Sequence, residues 1–122
     1  MVSAPALPDA AVEASRRLLG PLLPLRVRVS GLLLLGGGRV TLAHAVDVDD
    51  AALVAVLEVR SHVPEQQHAG WLAHVTLARR VPRERVQEAV DALGWADTVL
   101  CLVELRRWDP DAGTVSTVAS AR

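Results

Sequence analysis

The stretch LRVRVSGLLLLGGGRVTLAHAV, Leu25 to Val46, decides the fold. Leu25, Val27 and Val29 alternate with Arg26, Arg28 and Ser30, and an apolar run continues to Leu35. A period of two predicts a strand with one wet face. Gly36, Gly37 and Gly38 supply a turn, and Arg39 to Val46 resumes as the return strand of a hairpin. A glycine triplet is also a weak sign of a phosphate-cradling loop. The lysine and hydroxyl residue of such a loop are absent here and no helix follows directly, which favours the turn.

Outward from the hairpin the period changes to that of helices. Pro8 to Leu19 places Ala11, Val12, Ala14, Ser15, Leu18 and Leu19 on one stripe, with Arg16 and Arg17 near the C-terminal end and Gly20-Pro21 as the stop. Asp49 or Asp50 can cap a second helix running to about Arg60, with Ala52, Leu53, Val56 and Leu57 on its inner face. His62 to Gly70 is polar and breaks the pattern, as a mobile loop does. Trp71 to Ala78 reads as a strand, Pro82 to Leu93 as a helix, and Thr98 to Leu105 and Gly113 to Ala119 as strands joined by the turn residues Asp109 to Gly113. These elements predict one α+β domain over residues 1–122, an antiparallel or mixed sheet with helices packed on one side. Helix-strand-strand occurs twice, at Pro8 to Val46 and at Pro82 to Ala119, which hints at two related lobes.

Composition narrows the function classes. The 122 residues are 51% hydrophobic and 22% charged with a formal net charge of −1, enough for one ordinary core and not for two. A near-neutral chain is no bulk-electrostatic coat for nucleic acid, although a local basic site is open to it. Every basic residue apart from histidine is arginine, and Lys, Asn, Ile, Phe and Tyr are absent, which we attribute to GC-rich coding. The lone Cys101 forms no internal disulfide, and no Cys/His spacing resembles a zinc site, so no metal or other cofactor is expected. No signal-peptide pattern opens the chain and no apolar run approaches the ~20 residues of a membrane span, so a cytoplasmic protein without membrane partners is expected.

Chemistry concentrates in WLAHVTLARR, Trp71 to Arg80. Strand alternation puts Leu72, His74, Thr76 and Ala78 on one face, with the imidazole and hydroxyl about 6.5–7 Å apart along the strand. Histidine titrates near neutral pH and can move a proton to or from a reacting oxygen, while a threonine hydroxyl can hold a non-bridging phosphate oxygen. Arg79 and Arg80 follow where this strand is expected to end and could stabilise an anion there. On spacing alone, His74 as a hydrogen-bonded sheet histidine and Thr76 as an ordinary β-branched strand residue fit as well.

His74-Val75-Thr76-Leu77-Ala78-Arg79, followed by Val81-Pro82 and a helix, resembles the second H-x-T-x motif of the 2H phosphoesterase superfamily, the group of 2′-5′ RNA ligases and RNA 2′,3′-cyclic phosphodiesterases. Leu25 to Val46 is similar to that family's central hairpin and Val99 to Val118 to its closing strand pair, though only the six-residue motif is specific. The resemblance implies a bilobed α+β fold in which each lobe contributes one H-x-[ST]-x strand. It also implies metal-free hydrolysis of a 2′,3′-cyclic phosphate, with one histidine as base and one as acid. On this chain His74 takes an acid/base role, Thr76 a phosphate contact, and Arg79 and Arg80 contacts to substrate. RNA termini or cyclic nucleotides would be the partners.

The chain departs from that pattern in having no second H-x-[ST]-x. His44 precedes Ala45-Val46, His62 precedes Val63-Pro64, and His68 precedes Ala69-Gly70. The resemblance therefore extends over the family's C-terminal two-thirds, with the first motif strand lying ahead of the chain. His44 is the candidate second histidine, although its strand face, shared with Leu42 and Val46, also suits a core or sheet-surface histidine. Two functions remain open: hydrolysis of a cyclic or RNA-terminal phosphodiester, or a catalytically incomplete member that binds RNA ends or nucleotides. A missing lobe would also expose an apolar sheet edge and favour a homo-oligomer.

Other candidates carry blander readings. His62 and His68 with Glu65 make a poor metal set and a solvated loop is expected. Of the three tryptophans, Trp71 points away from His74 by parity, and Trp95 and Trp108 are expected to fill gaps in a core without other aromatics. Cys101, between Leu100 and Leu102, reads as a buried small apolar residue.

Overall fold

The hairpin forms as β1, Leu25–Gly36, and β2, Arg39–Asp47, in a computed structural model that describes residues 7–64 and 70–121. The strands pair antiparallel, with Leu33 opposite Ala43 and Leu35 opposite Thr41. Gly36 begins the turn at φ +97°, and a Cβ there would lie 2.8 Å from the Arg39 carbonyl oxygen, so the turn needs glycine. The ladder slips once, where Ser30 and Gly31 together face Ala45, and Gly31 takes up the bulge at φ +75°.

The remaining elements are α1 (Asp9–Leu19), α2 (Asp50–Ser61), β3 (His74–Pro82), α3 (Val86–Leu93), β4 (Asp97–Leu102), β5 (Glu104–Asp109) and β6 (Thr114–Ser120). Short 3-10 turns at Gly20–Leu22 and Arg83–Arg85 follow α1 and precede α3. The class is α+β. The strands form two sheets, one of order β3-β2-β1-β4 and a hairpin of β5 and β6, with β1–β2, β2–β3 and β5–β6 antiparallel.

Three element boundaries differ from expectation. The strand expected over Thr98 to Leu105 divides at Val103, where the chain passes from the first sheet to the second. Apolar residues run unbroken from Val99 to Val103, so no turn signal marks the change. The strand expected over Trp71 to Ala78 instead begins at His74 and runs on to Pro82, which places Arg79 and Arg80 inside it. The helix expected from Pro82 is regular only from Val86.

The described residues fall into two compact units, and these do not follow the two helix-strand-strand passages of the sequence. The first comprises the described parts of Met1–Arg26, Val48–Trp71 and Cys101–Arg122. Its core is Ala14 and Leu19 of α1 against Ala55, Val56 and Val59 of α2, with Leu18, Leu22, Trp71 and Leu105 packed on it. Asp49 caps α2, its Oδ1 accepting from the Ala52 N–H at 2.8 Å, an interaction worth about 0.5–2 kcal/mol at such positions. The buried stripe of α2 is Ala52, Ala55, Val56 and Val59, and Leu57 is exposed instead of facing inward. Leu53 to Leu57 is apolar throughout, so periodicity could not choose among its faces.

The second unit comprises Val27–Asp47 and Leu72–Leu100. Val27, Val29, Val40, Leu42 and Ala43 are buried in it. Leu42 and Ala43 are successive residues and both are 0% exposed, so β2 is covered on both faces, as suits an inner strand.

Where residues were expected in the core, several stand in water. All six residues of β4 are exposed, Cys101 among them, because β4 is an edge strand and a continuous apolar run there does not signal burial. Trp95 and Trp108 are 86% and 67% exposed, so neither fills a core.

At the start of β4 an ion pair links it to its neighbour β1. Arg28 Nε and Nη2 donate to Asp97 Oδ1 and Oδ2, both at 2.8 Å. These hydrogen bonds, and then the nearby charge, hold the Asp97 carboxyl below its ordinary value and raise Arg28. A depressed carboxyl stabilises the fold above the unfolded aspartate value of ~3.9 and loses that contribution as pH falls through the lower folded value. Denaturation midpoints of wild type and Asp97→Asn should therefore differ at pH 7 and converge in acid. Because both partners are exposed, the difference should be small and should shrink in high salt.

Candidate functional site

The antiparallel pairing of β3 with β2 sets which side chains share a face. Ala45 lies opposite His74, His44 opposite Val75, and Ala43 opposite Thr76. Directly opposed residues project from the same face of a sheet, so His74 and Thr76 stand together with Ala45 and Ala43. β3 is the other edge of its sheet, and His74 is exposed while Thr76 is half-buried. The pair reaches solvent.

A local hydrogen bond fixes the His74 ring. Its Nδ1 lies 2.7 Å from the Leu72 carbonyl oxygen. A carbonyl oxygen only accepts, so Nδ1 carries a proton, and in the neutral form of the ring the lone pair is therefore on Nε2. That is the protonation pattern of a general base.

Beyond Thr76 the strand is irregular. Thr76 faces Ala43 and Ala78 faces Leu42, which leaves Leu77 as a one-residue bulge. The bulge turns Ala78 to the face of Leu42, so it does not share the face of His74 and Thr76 as simple alternation predicts, and Leu72 lies before the strand. Next, Arg79 and Arg80 together face Thr41. Arg80 takes φ +54°, the sole positive φ outside glycine among the described residues, and its carbonyl oxygen accepts from Arg39 Nη1 at 3.2 Å. Both Arg79 and Arg80 are exposed, and neither enters an ion pair among the described residues.

The other histidines lie elsewhere. His44, opposite Val75, projects from the face opposite to that of His74, and its Nδ1–H donates to the Gly31 carbonyl of the β1 bulge at 3.3 Å. The register thus brings His74 and Thr76 together and turns His44 away from them. His62 ends α2 in the first unit, and His68 and Glu65 lie outside the described residues. Among the described residues no three His, Cys, Asp or Glu side chains gather as metal ligands.

Two residues on the His74 face escape a reading of the sequence. β2 alternates without a slip of its own, so Arg39 and Thr41 share the face of Ala43 and Ala45, and hence of Thr76 and His74. Alternation groups Thr41 with the two alanines, but only the register with β3 shows that His74 and Thr76 join them. Protein families, curated proteins and solved structures offer no match to this chain.

Proposed function

We propose that the His74–Thr76 face binds the phosphate of a 2′,3′-cyclic nucleotide or RNA-terminal phosphodiester and hydrolyses it, and that the domain is of the 2H phosphoesterase type. The observation that carries this reading is the His74 hydrogen bond to Leu72, which sets the neutral tautomer with its acceptor at Nε2, on an exposed strand edge beside a hydroxyl. The likeness of His74 to Arg79 to the family's H-x-T-x motif supplies the substrate class.

The imidazole serves the attacking half of the reaction. Nε2 takes a proton from a water as its oxygen forms a bond to phosphorus. Attacking and leaving oxygens lie roughly in line on opposite sides of phosphorus, so the departing 2′ or 3′ oxygen takes its proton from solvent as the old P–O bond breaks, giving a phosphomonoester and a free hydroxyl, and the imidazolium gives up its proton to solvent. The Thr76 hydroxyl donates to a non-bridging oxygen, and Arg79 and Arg80 offset the charge that grows on it.

A second reading, binding without turnover, is favoured by the position of His44. With His44 on the opposite face, His74 is the sole imidazole on its face among the described residues of that unit. Incubating the protein with each of the 2′,3′-cyclic nucleoside monophosphates and separating the products decides between them. Release of a phosphomonoester supports hydrolysis; saturable binding with intact ligand supports the second reading. Neither binding nor product would end both.

A further inference from the structure

We infer that β4 is the interface of a homodimer: two copies of the chain set their β4 edges antiparallel about a two-fold axis and join their four-stranded sheets into one continuous sheet. The inference concerns the edge away from His74 and stands independently of the proposed hydrolysis.

The sheet of order β3-β2-β1-β4 has two edges, and they are built differently. β3 carries the features that keep an edge from pairing with another chain. It has a bulge at Leu77, a second where Arg79 and Arg80 together face Thr41, two exposed arginines, and Pro82, which has no N–H to donate. β4, Asp-Thr-Val-Leu-Cys-Leu, holds no Lys, Arg, Pro or Gly, and its one charge, Asp97, is neutralised within the chain by Arg28. Its outer side is a row of backbone donors and acceptors with no side chain to deter a second strand.

Side chains add to that template. All six residues of β4 are exposed, Val99 at 55%, Leu100 at 38% and Leu102 at 40%, and Trp95, two residues before the strand, is 86% exposed. Contiguous apolar surface of this kind marks an interaction site. Specific interfaces begin at about 1,000 Å² in total, so side chains must contribute beyond the paired backbones. A tryptophan buries ~150–250 Å², and the two-fold supplies one Trp95 from each copy.

The occupant is a second copy because the edge complements itself. Set antiparallel on its own copy, Val99 to Leu102 opposes only apolar residues, Val99 meeting Leu102 and Leu100 meeting Cys101, and brings no two charges together. A charged partner finds nothing to pair with from Thr98 to Val103, which is uncharged throughout. The arrangement also closes. Two-fold pairing uses both β4 edges at once, and the guarded β3 edges left outermost do not pass the pairing on, so association stops at two. His74 and Thr76 lie on β3, so the β4 pairing leaves them open.

Sedimentation velocity over a concentration series tests this with wild type, Val99→Lys and Val54→Lys, the last at a 65%-exposed position on α2. Wild type should pass from the mass of one chain to that of two and no further. Val99→Lys brings like charges together across the two-fold and should raise the dissociation constant by ~10-fold or more, with Val54→Lys unchanged. Circular dichroism establishes that each variant is folded. Amide hydrogen exchange of wild type gives a second reading that needs no substitution: β4 should gain protection between dilute and concentrated protein, and β3 should not. Dimers lost in folded Val99→Lys, or protection gained in β4 alone, support the interface. A wild type that stays monomeric at every concentration overturns it and leaves the edge to a different occupant. Growth beyond two chains, a folded Val99→Lys that dimerises like wild type, or dimers that leave β4 exchange unchanged overturn it as well.

Discussion

Replacing His74 with alanine should lower kcat/KM for a 2′,3′-cyclic nucleotide by about 10²–10⁴-fold, the usual share of a positioned general acid or base. In barrier terms that is roughly 3–5 kcal/mol, at 1.36 kcal/mol per decade. The same change should scarcely move the melting temperature. His74 is exposed on an edge strand, and the one hydrogen bond its ring makes among the described residues is to the carbonyl of Leu72, two residues away. Activity and stability therefore separate in this variant, which distinguishes a group that handles the proton from one that merely props the sheet. A loss of activity matched by unfolding would count against the assignment, as would wild-type turnover in a folded variant.

Leu42→Ala should have the opposite profile, destabilising the chain by about 2–5 kcal/mol. Leu42 is 0% exposed on the inner strand β2, flanked by Leu34 of β1 and Ala78 of β3. Truncation there removes apolar contacts that the ladders on either side prevent from closing up. Urea titration should show a lower midpoint at an unchanged slope. Leu34→Ala, one strand away but more than half exposed, should stay within about 0.5 kcal/mol of wild type. Equal effects at the two positions would mean that β2 is not the inner strand.

Much of this architecture is legible in residue order because local rules suffice for it. The period-two run from Leu25, the glycine turn, the Asp49 cap and the turn chemistry of Asp109 to Gly113 each act within a few residues. The structure keeps α1, the β1–β2 hairpin, α2, the turn after Asp109 and β6 close to where those signals put them. What depends on neighbours is not legible. Val99 to Val103 has the composition of a buried strand, and only its place at the sheet edge explains why β4 and Cys101 are exposed. Trp95 and Trp108 are large enough to anchor a core, but nothing local says whether a core lies beside them.

The candidate site divides in the same way. His74 and Thr76 are two residues apart in an extended segment, so their common face follows from the pleat alone. Ala78, two residues further on, breaks the same rule because the bulge at Leu77 reverses parity between Thr76 and Ala78. The opposed faces of His44 and His74, and the shared face of Arg39, Thr41 and Thr76, come from cross-strand register. Register is fixed by the whole sheet.

The most direct measurement is the nitrogen-15 spectrum of the His74 imidazole, in the free protein and as adenosine 2′,3′-cyclic monophosphate is added. The neutral ring should carry its proton on Nδ1, with Nε2 unprotonated, and the Nε2 resonance should shift as ligand saturates the site. A ring protonated on Nε2 instead, or a His74 signal indifferent to saturating ligand, would contradict it.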